Sequence, residues 1–167
     1  MIIEPIFLAA YTKNDNAKGL VFNMTLTAIN NKQESYVANG EMAKTLLPLL
    51  KKIVTILKEI QPSWTLLDEY RLILTGNHAN YIVKQYDSAG LGLAIGLYNI
   101  ARKINHSSFV EGIIGTGMIR LDGSVDEVRG ISSKTEASID IPNFKKLLSK
   151  SEISHLSQLH TTLNKYT

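Results

Sequence analysis

Hydrophobic and polar residues alternate along two early segments of the chain, residues 6–11 and 20–29. Because successive side chains of a strand point to opposite faces, this pattern predicts two strands. The polar segment between them, residues 12–19, is rich in asparagine and contains a glycine, which predicts a turn. A third, shorter strand is predicted at residues 35–38.

A helical period replaces this alternation from residue 41 to residue 60. Apolar residues recur there every three or four positions, at Leu46, Leu47, Leu50, Ile53, Val54 and Leu57. The helix is expected to end before Pro62. Pro48 interrupts the pattern: a proline is tolerated in a first turn after a Thr45 cap and produces a kink further inside the helix. One long helix therefore dominates the first half of the chain.

A second helix is predicted at residues 89–103, where almost every position is apolar. It follows a predicted strand at residues 70–75, a loop at 76–80 and a short extended piece at 81–84. Its glycines would allow another element to approach closely; they are Gly90, Gly92 and Gly96. This helix is therefore expected to be central and buried.

The remainder of the chain alternates between short elements. They are predicted as a strand at 109–121, a turn at Asp122-Gly123, a strand at 125–128, a helix at 131–138, a strand at 139–141 and an amphipathic helix at 153–166. This order of elements predicts an α+β fold, with small mixed sheets packed against helices. No repeat or linker divides the sequence, so we expect a single domain over residues 1–167.

Composition excludes several classes of protein. The chain has no cysteine, which rules out thiol catalysis and cysteine-ligated zinc and favours a reducing, cytoplasmic location. The four histidines lack the H-x-x-x-H spacing of a zinc site, and we interpret them as surface residues; they are His78, His106, His155 and His160. No G-x-x-x-x-G-K-[ST] loop is present, so we expect no ATP site. We also expect no metal and no cofactor.

Charge and hydropathy limit the partners. The net charge of +3 is spread along the chain and forms no basic stripe with interleaved aromatic residues, so we expect no nucleic-acid partner. No apolar run approaches 18 residues, so we expect no membrane span. The apolar N-terminal run is interrupted by Glu4 and Pro5, which favours a first strand over a signal peptide.

The candidate chemistry lies in Ser88 and Lys134. Ser88 stands in Y-D-S-A-G-L-G-L-A-I-G, and Lys134 stands in V-R-G-I-S-S-K-T-E-A-S. A serine hydroxyl needs a neighbouring base to act as a nucleophile, and a lysine serves if burial lowers its pKa. If the helix starts just after Ser88, its unpaired N–H groups would suit an oxyanion. The competing interpretations are that Ser88 caps the helix and that Lys134 is a solvated helix residue.

Three motifs in order resemble the proteolytic domain of the Lon family of serine-lysine peptidases. They are residues 83–90 (V-K-Q-Y-D-S-A-G), 116–125 (T-G-M-I-R-L-D-G-S-V) and 129–134 (R-G-I-S-S-K). They are similar to the family's P-K-D-G-P-S-A-G, T-G-x-I-x-x-x-G-x-V and G-G-I-x-x-K motifs, and are closest to Lon-like forms without a fused ATPase. The resemblance spans most of the chain.

This resemblance implies a role for each matched residue. Ser88 would be the nucleophile, Lys134 the base and Thr116 the residue that hydrogen-bonds the lysine, with Asp87, Ala89 and Gly90 as the flanking motif residues. It implies an ATP-independent peptidase that acts on a polypeptide substrate, and a tendency to form a homo-oligomeric ring or to work with a partner protein.

Departures from the family motifs leave two alternatives open. Gln85, Tyr86 and Asp87 replace the family's Asp, Gly and Pro before the serine, and Arg129 replaces a glycine. A degenerate Lon-like domain would keep the fold as an interaction module, docking through the final helix at residues 153–166. A small-molecule kinase is the remaining alternative, because Gly90-Leu91-Gly92 is similar to part of the phosphate loop of such kinases.

Overall fold

Two long strands, β1 (Ile2–Thr12) and β2 (Lys18–Ile29), pair antiparallel and form one side of the main sheet. The computed structural model describes residues 1–12, 18–30, 35–76 and 87–167. Both predicted strands are confirmed, and β1 starts four residues before the predicted position. The predicted extended piece at residues 81–84 lies outside the described residues, as does most of the predicted loop before it.

The main sheet has the strand order β1-β2-β4-β3. Strand β3 (Tyr36–Asn39) lies parallel to β4 (Arg71–Thr75), and β4 lies antiparallel to β2. One face of the sheet is covered by helices, so its inward residues are buried; they include Ile6, Leu8, Met24, Leu26, Leu72 and Leu74. The α+β class predicted from the order of elements is therefore confirmed.

Helix α1 (Glu41–Ile60) has the predicted bounds, and its apolar stripe packs into the core. Pro48 lies inside this helix, beyond its first turn, so its missing N–H removes one backbone hydrogen bond of the helix. A 3₁₀ helix from Pro62 to Glu69, which the sequence pattern did not predict, connects α1 to β4.

Helix α2 (Gly90–Ile104) is the centre of the core: every residue from Gly90 to Ala101 is buried. A helix that is apolar on all sides is stable only when it is enclosed. Gly92 makes this possible, because a Cβ there would lie 2.7 Å from Leu8 Cδ2 and 3.0 Å from the Gly115 carbonyl oxygen. The central, buried position predicted for this helix is confirmed.

The single strand predicted at residues 109–121 is wrong. The structure has two short strands, β5 (Ile113–Gly115) and β6 (Met118–Ile119), which belong to different sheets. The break lies at Thr116 and Gly117, whose backbone groups bond to different neighbours. Strand β6 pairs with β7 (Val125–Asp126) across the predicted Asp122-Gly123 turn.

Helix α3 (Ile131–Ser138) is confirmed with the predicted bounds. The strand predicted at residues 139–141 is wrong, because the Ile141 N–H turns back to the Ser138 carbonyl. The parallel partner of β5 is instead β8 (Lys146–Leu148), which the pattern did not reveal.

The final helix is shorter than predicted. Helix α4 (Leu159–Leu163) is flanked by 3₁₀ turns at residues 156–158 and 164–166. Its predicted apolar positions are all buried in the main core; they are Ile153, Leu156, Leu159 and Leu163. This apolar face is therefore covered by the protein's own core.

The described helices include none with the length and apolar character needed to cross a membrane.

Candidate active site

Ser88 lies in a short 3₁₀ turn, Asp87–Ala89, immediately before α2. The N-cap position of α2 is Ala89, and no side chain caps this helix. The interpretation of Ser88 as a helix cap is therefore wrong. Its side chain is partly exposed, and its hydroxyl makes no hydrogen bond to the described residues. Within the described part of the chain, the Ser88 hydroxyl is therefore without a hydrogen-bond partner at the start of a buried helix.

Two backbone hydrogen bonds hold this turn against the segment after β5. The Gly117 N–H donates to the Ser88 carbonyl at 2.9 Å, and the Leu91 N–H donates to the Gly117 carbonyl at 3.0 Å. Gly117 allows this close packing, because a Cβ there would lie 2.6 Å from Val125 Cγ1. Ser88 is therefore fixed beside the residue that follows Thr116.

Lys134 reaches the same segment from α3. Gly130, in a left-handed conformation with φ of 75°, precedes the helix and directs its first turn. The Lys134 side chain is only 2% exposed, and its Nζ donates to Thr116 Oγ1 at 2.9 Å. Thr116 itself is fully buried. Lys134 and the Ser88 turn thus bond to adjacent residues of one segment: Lys134 to Thr116, and Ser88 to Gly117.

The environment of Lys134 favours its neutral form. Burial lowers the pKa of the Lys134 ammonium from 10.5 to about 8, because the charged form loses its hydration. Among the described residues the ammonium has no carboxylate partner that would oppose this effect. About one tenth of the Lys134 side chains are therefore neutral at pH 7. Because the side chain is buried, the interpretation of Lys134 as a solvated residue is wrong.

Gly19 determines how closely α3 approaches the main sheet. The sequence pattern places this glycine in a turn. Gly19 lies at the start of β2, and a Cβ on it would lie 2.1 Å from the Ser133 carbonyl oxygen and 2.8 Å from the Lys134 backbone nitrogen. The backbone of α3 therefore approaches β2 as closely as a residue without a side chain allows. The Ser138 hydroxyl donates to the Lys134 carbonyl at 2.7 Å and is also buried.

We expect Gly19→Ala to lower the free energy of unfolding by about 3 kcal/mol, because the added methyl group meets backbone atoms that move only if α3 moves. Urea unfolding of the two proteins measures the difference. Gly76→Ala is the matched control, since its Cβ would meet the flexible end of the Met24 side chain. Equal stability of the Gly19 and Gly76 variants would contradict the close approach.

The flanking motif residues have distinct positions. Asp87 is exposed, so its charge is in contact with solvent, whereas Ala89 and Gly90 are buried. Gly90 packs against β6, where a Cβ would lie 2.8 Å from Ile119 Cγ1. Residues 83–86 of the serine motif lie outside the described residues.

The glycines suggested as a phosphate loop form the buried first turn of α2. Gly90, Leu91 and Gly92 pack against β1, β5 and β6, and their described contacts are those of a core. The described residues also include no group of three or more histidine, aspartate or glutamate side chains that could hold a metal ion.

No protein-family model matches this chain, and no curated protein sequence matches it. The interpretation of the site therefore rests on its geometry and chemistry.

Proposed function

We propose that this protein is a serine peptidase that uses Ser88 as its nucleophile and Lys134 as its base. The observation that carries the proposal is the buried Lys134 ammonium, which bonds to Thr116 while the next residue, Gly117, bonds to the turn that contains Ser88. A buried lysine with a lowered pKa, bonded to the segment that also holds the Ser88 turn, supplies the base that a serine nucleophile requires.

The chemistry follows from these groups. Neutral Lys134 Nζ accepts the proton of Ser88 Oγ as the oxygen attacks a peptide carbonyl. Backbone N–H groups at the start of α2, other than the Leu91 N–H that bonds to the Gly117 carbonyl, stabilise the negative oxygen of the tetrahedral intermediate. Lys134 then returns its proton to the leaving amine, which leaves an ester between the substrate's acyl group and Ser88.

Hydrolysis of this acyl-enzyme repeats the sequence with water as the nucleophile. Lys134 accepts a proton from the attacking water, and the proton goes to Ser88 Oγ when the ester bond breaks. The carboxylic acid product is released, and the serine and the neutral lysine are regenerated. Thr116 orients the lysine by accepting a hydrogen bond from Nζ.

The motif resemblance to the Lon peptidases supports the same roles for these three residues. It extends the proposal to an ATP-independent peptidase of the Lon type, with an unfolded polypeptide as substrate and a ring-shaped homo-oligomer or a partner protein as its working form. The rival proposal, a non-catalytic interaction module, differs in one measurable respect: its function would not depend on Ser88 or Lys134.

We expect the purified chain to degrade a permanently unfolded protein without ATP, and Ser88→Ala to reduce the rate at least about 1000-fold because the nucleophile is lost. Ser132→Ala is the matched control, since Ser132 is exposed on α3. The rates are measured by release of fluorescent peptides. Equal cleavage by wild type and Ser88→Ala would exclude Ser88 as the nucleophile.

The pH dependence of the same reaction tests the role of Lys134. The value of kcat/KM should rise with pH and level off above about 8, where the lysine loses its proton. A profile that is flat between about pH 6 and 9 would show that no group with this pKa acts as the base.

A further inference from the structure

A cavity of about 290 Å³ extends as far as Gly115, the residue that precedes Thr116 of the candidate active site. Helix α2 lines it through Gly92 and Gly96, which have no side chains to fill the space. The start of β1 and residues 109–115 line other parts of the cavity. Since Gly115 lines the cavity and precedes Thr116, a peptide bound at Ser88 could extend into this space.

The charged residues of the cavity are two carboxylates and one amine, which belong to Glu4, Glu111 and Lys103. The amine is already engaged: Lys103 Nζ lies 2.5 Å from Glu4 Oε2, donates to the Ile3 carbonyl at 2.9 Å and stands 4.5 Å from the centre of the Phe109 ring. Lys103 therefore neutralises Glu4 and has no further donor directed at a ligand.

Glu4 is equally committed to the protein. Its Oε1 accepts a hydrogen bond from the Asn99 side chain at 2.9 Å, and the residue is 6% exposed. Burial raises the pKa of the Glu4 carboxyl, and the negative charge of Glu111 acts in the same direction. Glu111 is therefore close enough to Glu4 for the two negative charges to repel each other.

Glu111 is therefore the uncompensated charge of the cavity. It is exposed and forms no ion pair with the described residues. Other parts of the cavity lining are apolar, with Phe7 and Ile95. An apolar wall that leads to a solvated carboxylate matches a side chain with a long aliphatic stem and a cationic end.

We infer that this cavity is a specificity subsite that receives a lysine or arginine side chain of the polypeptide substrate. The aliphatic stem lies along the apolar wall, and the cationic end pairs with the Glu111 carboxylate. The inference rests on the proposed function, because it names the substrate residue that the peptidase site selects.

The test uses fluorogenic peptides in which one lysine is moved through each position around the cleaved bond, each with a matched glutamine peptide. At one position lysine should raise kcat/KM about tenfold over glutamine, the size expected for one charge-assisted contact. Glu111→Gln should bring this ratio close to one, whereas Glu59→Gln, which removes an exposed carboxylate on α1, should preserve it. A ratio near one at every position, or a preference that survives in Glu111→Gln, would overturn the subsite.

A binding measurement separates this inference from the peptidase proposal. Ser88→Ala does not cleave the peptides, so their affinity can be measured by fluorescence anisotropy. Tighter binding of the lysine peptide, lost on adding Glu111→Gln, would support the subsite even if wild type cleaves nothing and the peptidase proposal fails. Equal binding of the two peptides would overturn the subsite while leaving cleavage by Ser88 intact.

Discussion

Lys134→Met should make the protein more stable by about 2 kcal/mol at pH 7, although it should also abolish peptide cleavage. Burial lowers the pKa of the lysine from 10.5 to about 8, so the folded protein bears the cost of a buried charge at neutral pH. Methionine removes that charge and fills a similar volume. Part of the gain is lost, because the buried Thr116 hydroxyl loses its partner.

The pH dependence of stability gives this prediction its sign. Between about pH 8 and 10.5 the unfolded chain binds the lysine proton while the folded protein releases it, so the contribution of Lys134 to wild-type stability rises with pH across this window. The advantage of Lys134→Met should therefore shrink over the same range and disappear before pH 10.5, because the loss of the Thr116 partner remains at every pH. Urea unfolding of both proteins at a series of pH values measures the difference.

Lys150→Met is the control, because Lys150 is exposed and its replacement should leave the pH dependence unchanged. If Lys134→Met were less stable than wild type at pH 7, the lysine would be stabilised in its charged form. It would then be a structural cation, and its role as a base would have to be abandoned.

Asn99→Leu should lower the free energy of unfolding by about 4 kcal/mol. The Asn99 side chain accepts from the Val110 N–H at 3.0 Å and donates to the Val110 carbonyl and to Glu4 Oε1, both at 2.9 Å. Leucine has a similar size but leaves three buried polar groups without this partner, and each unsatisfied group costs about 1 to 3 kcal/mol. Urea unfolding and calorimetry measure the loss.

Asn164→Leu is the matched control, because Asn164 is exposed and the same change of side chain there should alter stability by less than about 0.5 kcal/mol. A loss below about 1 kcal/mol for Asn99→Leu would mean that Val110 and Glu4 find other partners, and that the network does not hold residues 109–111 to α2.

The regular elements could be predicted from the sequence because their side chains repeat with the period of the structure. The apolar stripe of α1 and the almost entirely apolar first twelve residues of α2 both indicate helices that are buried in a core. Residues 109–121 were misassigned for the opposite reason. Their apolar run is continuous, and the change of partners at Thr116 and Gly117 depends on backbone hydrogen bonds to distant residues. Strand β8 was missed because it has only three residues.

Local motifs propose the residues of the candidate site, whereas its geometry follows only from the fold. Ser88 and Lys134 stand in recognisable local motifs, and no local pattern indicates that the lysine is 2% exposed or that it bonds to Thr116. The contribution of Gly19 was missed because it consists in having no side chain, which lets the backbone of α3 approach β2 closely. Such a contact involves residues far apart in sequence, so a single sequence does not reveal it.

The amide of Asn99 bonds both backbone groups of Val110, as a neighbouring strand residue would. Two sets of hydrogen bonds therefore hold the segment from Val110 to Gly117 against α2. Asn99, in the second half of the helix, bonds to Val110, and the Ser88 turn, just before the helix, bonds to Gly117. These bonds fix Ser88 and Thr116 relative to α2. Lys134 lies on a different element, α3, whose backbone packs against Gly19 of β2. The spacing between Ser88 and Lys134 therefore depends on how closely α3 approaches β2 at Gly19, as well as on the hydrogen bond from Lys134 to Thr116.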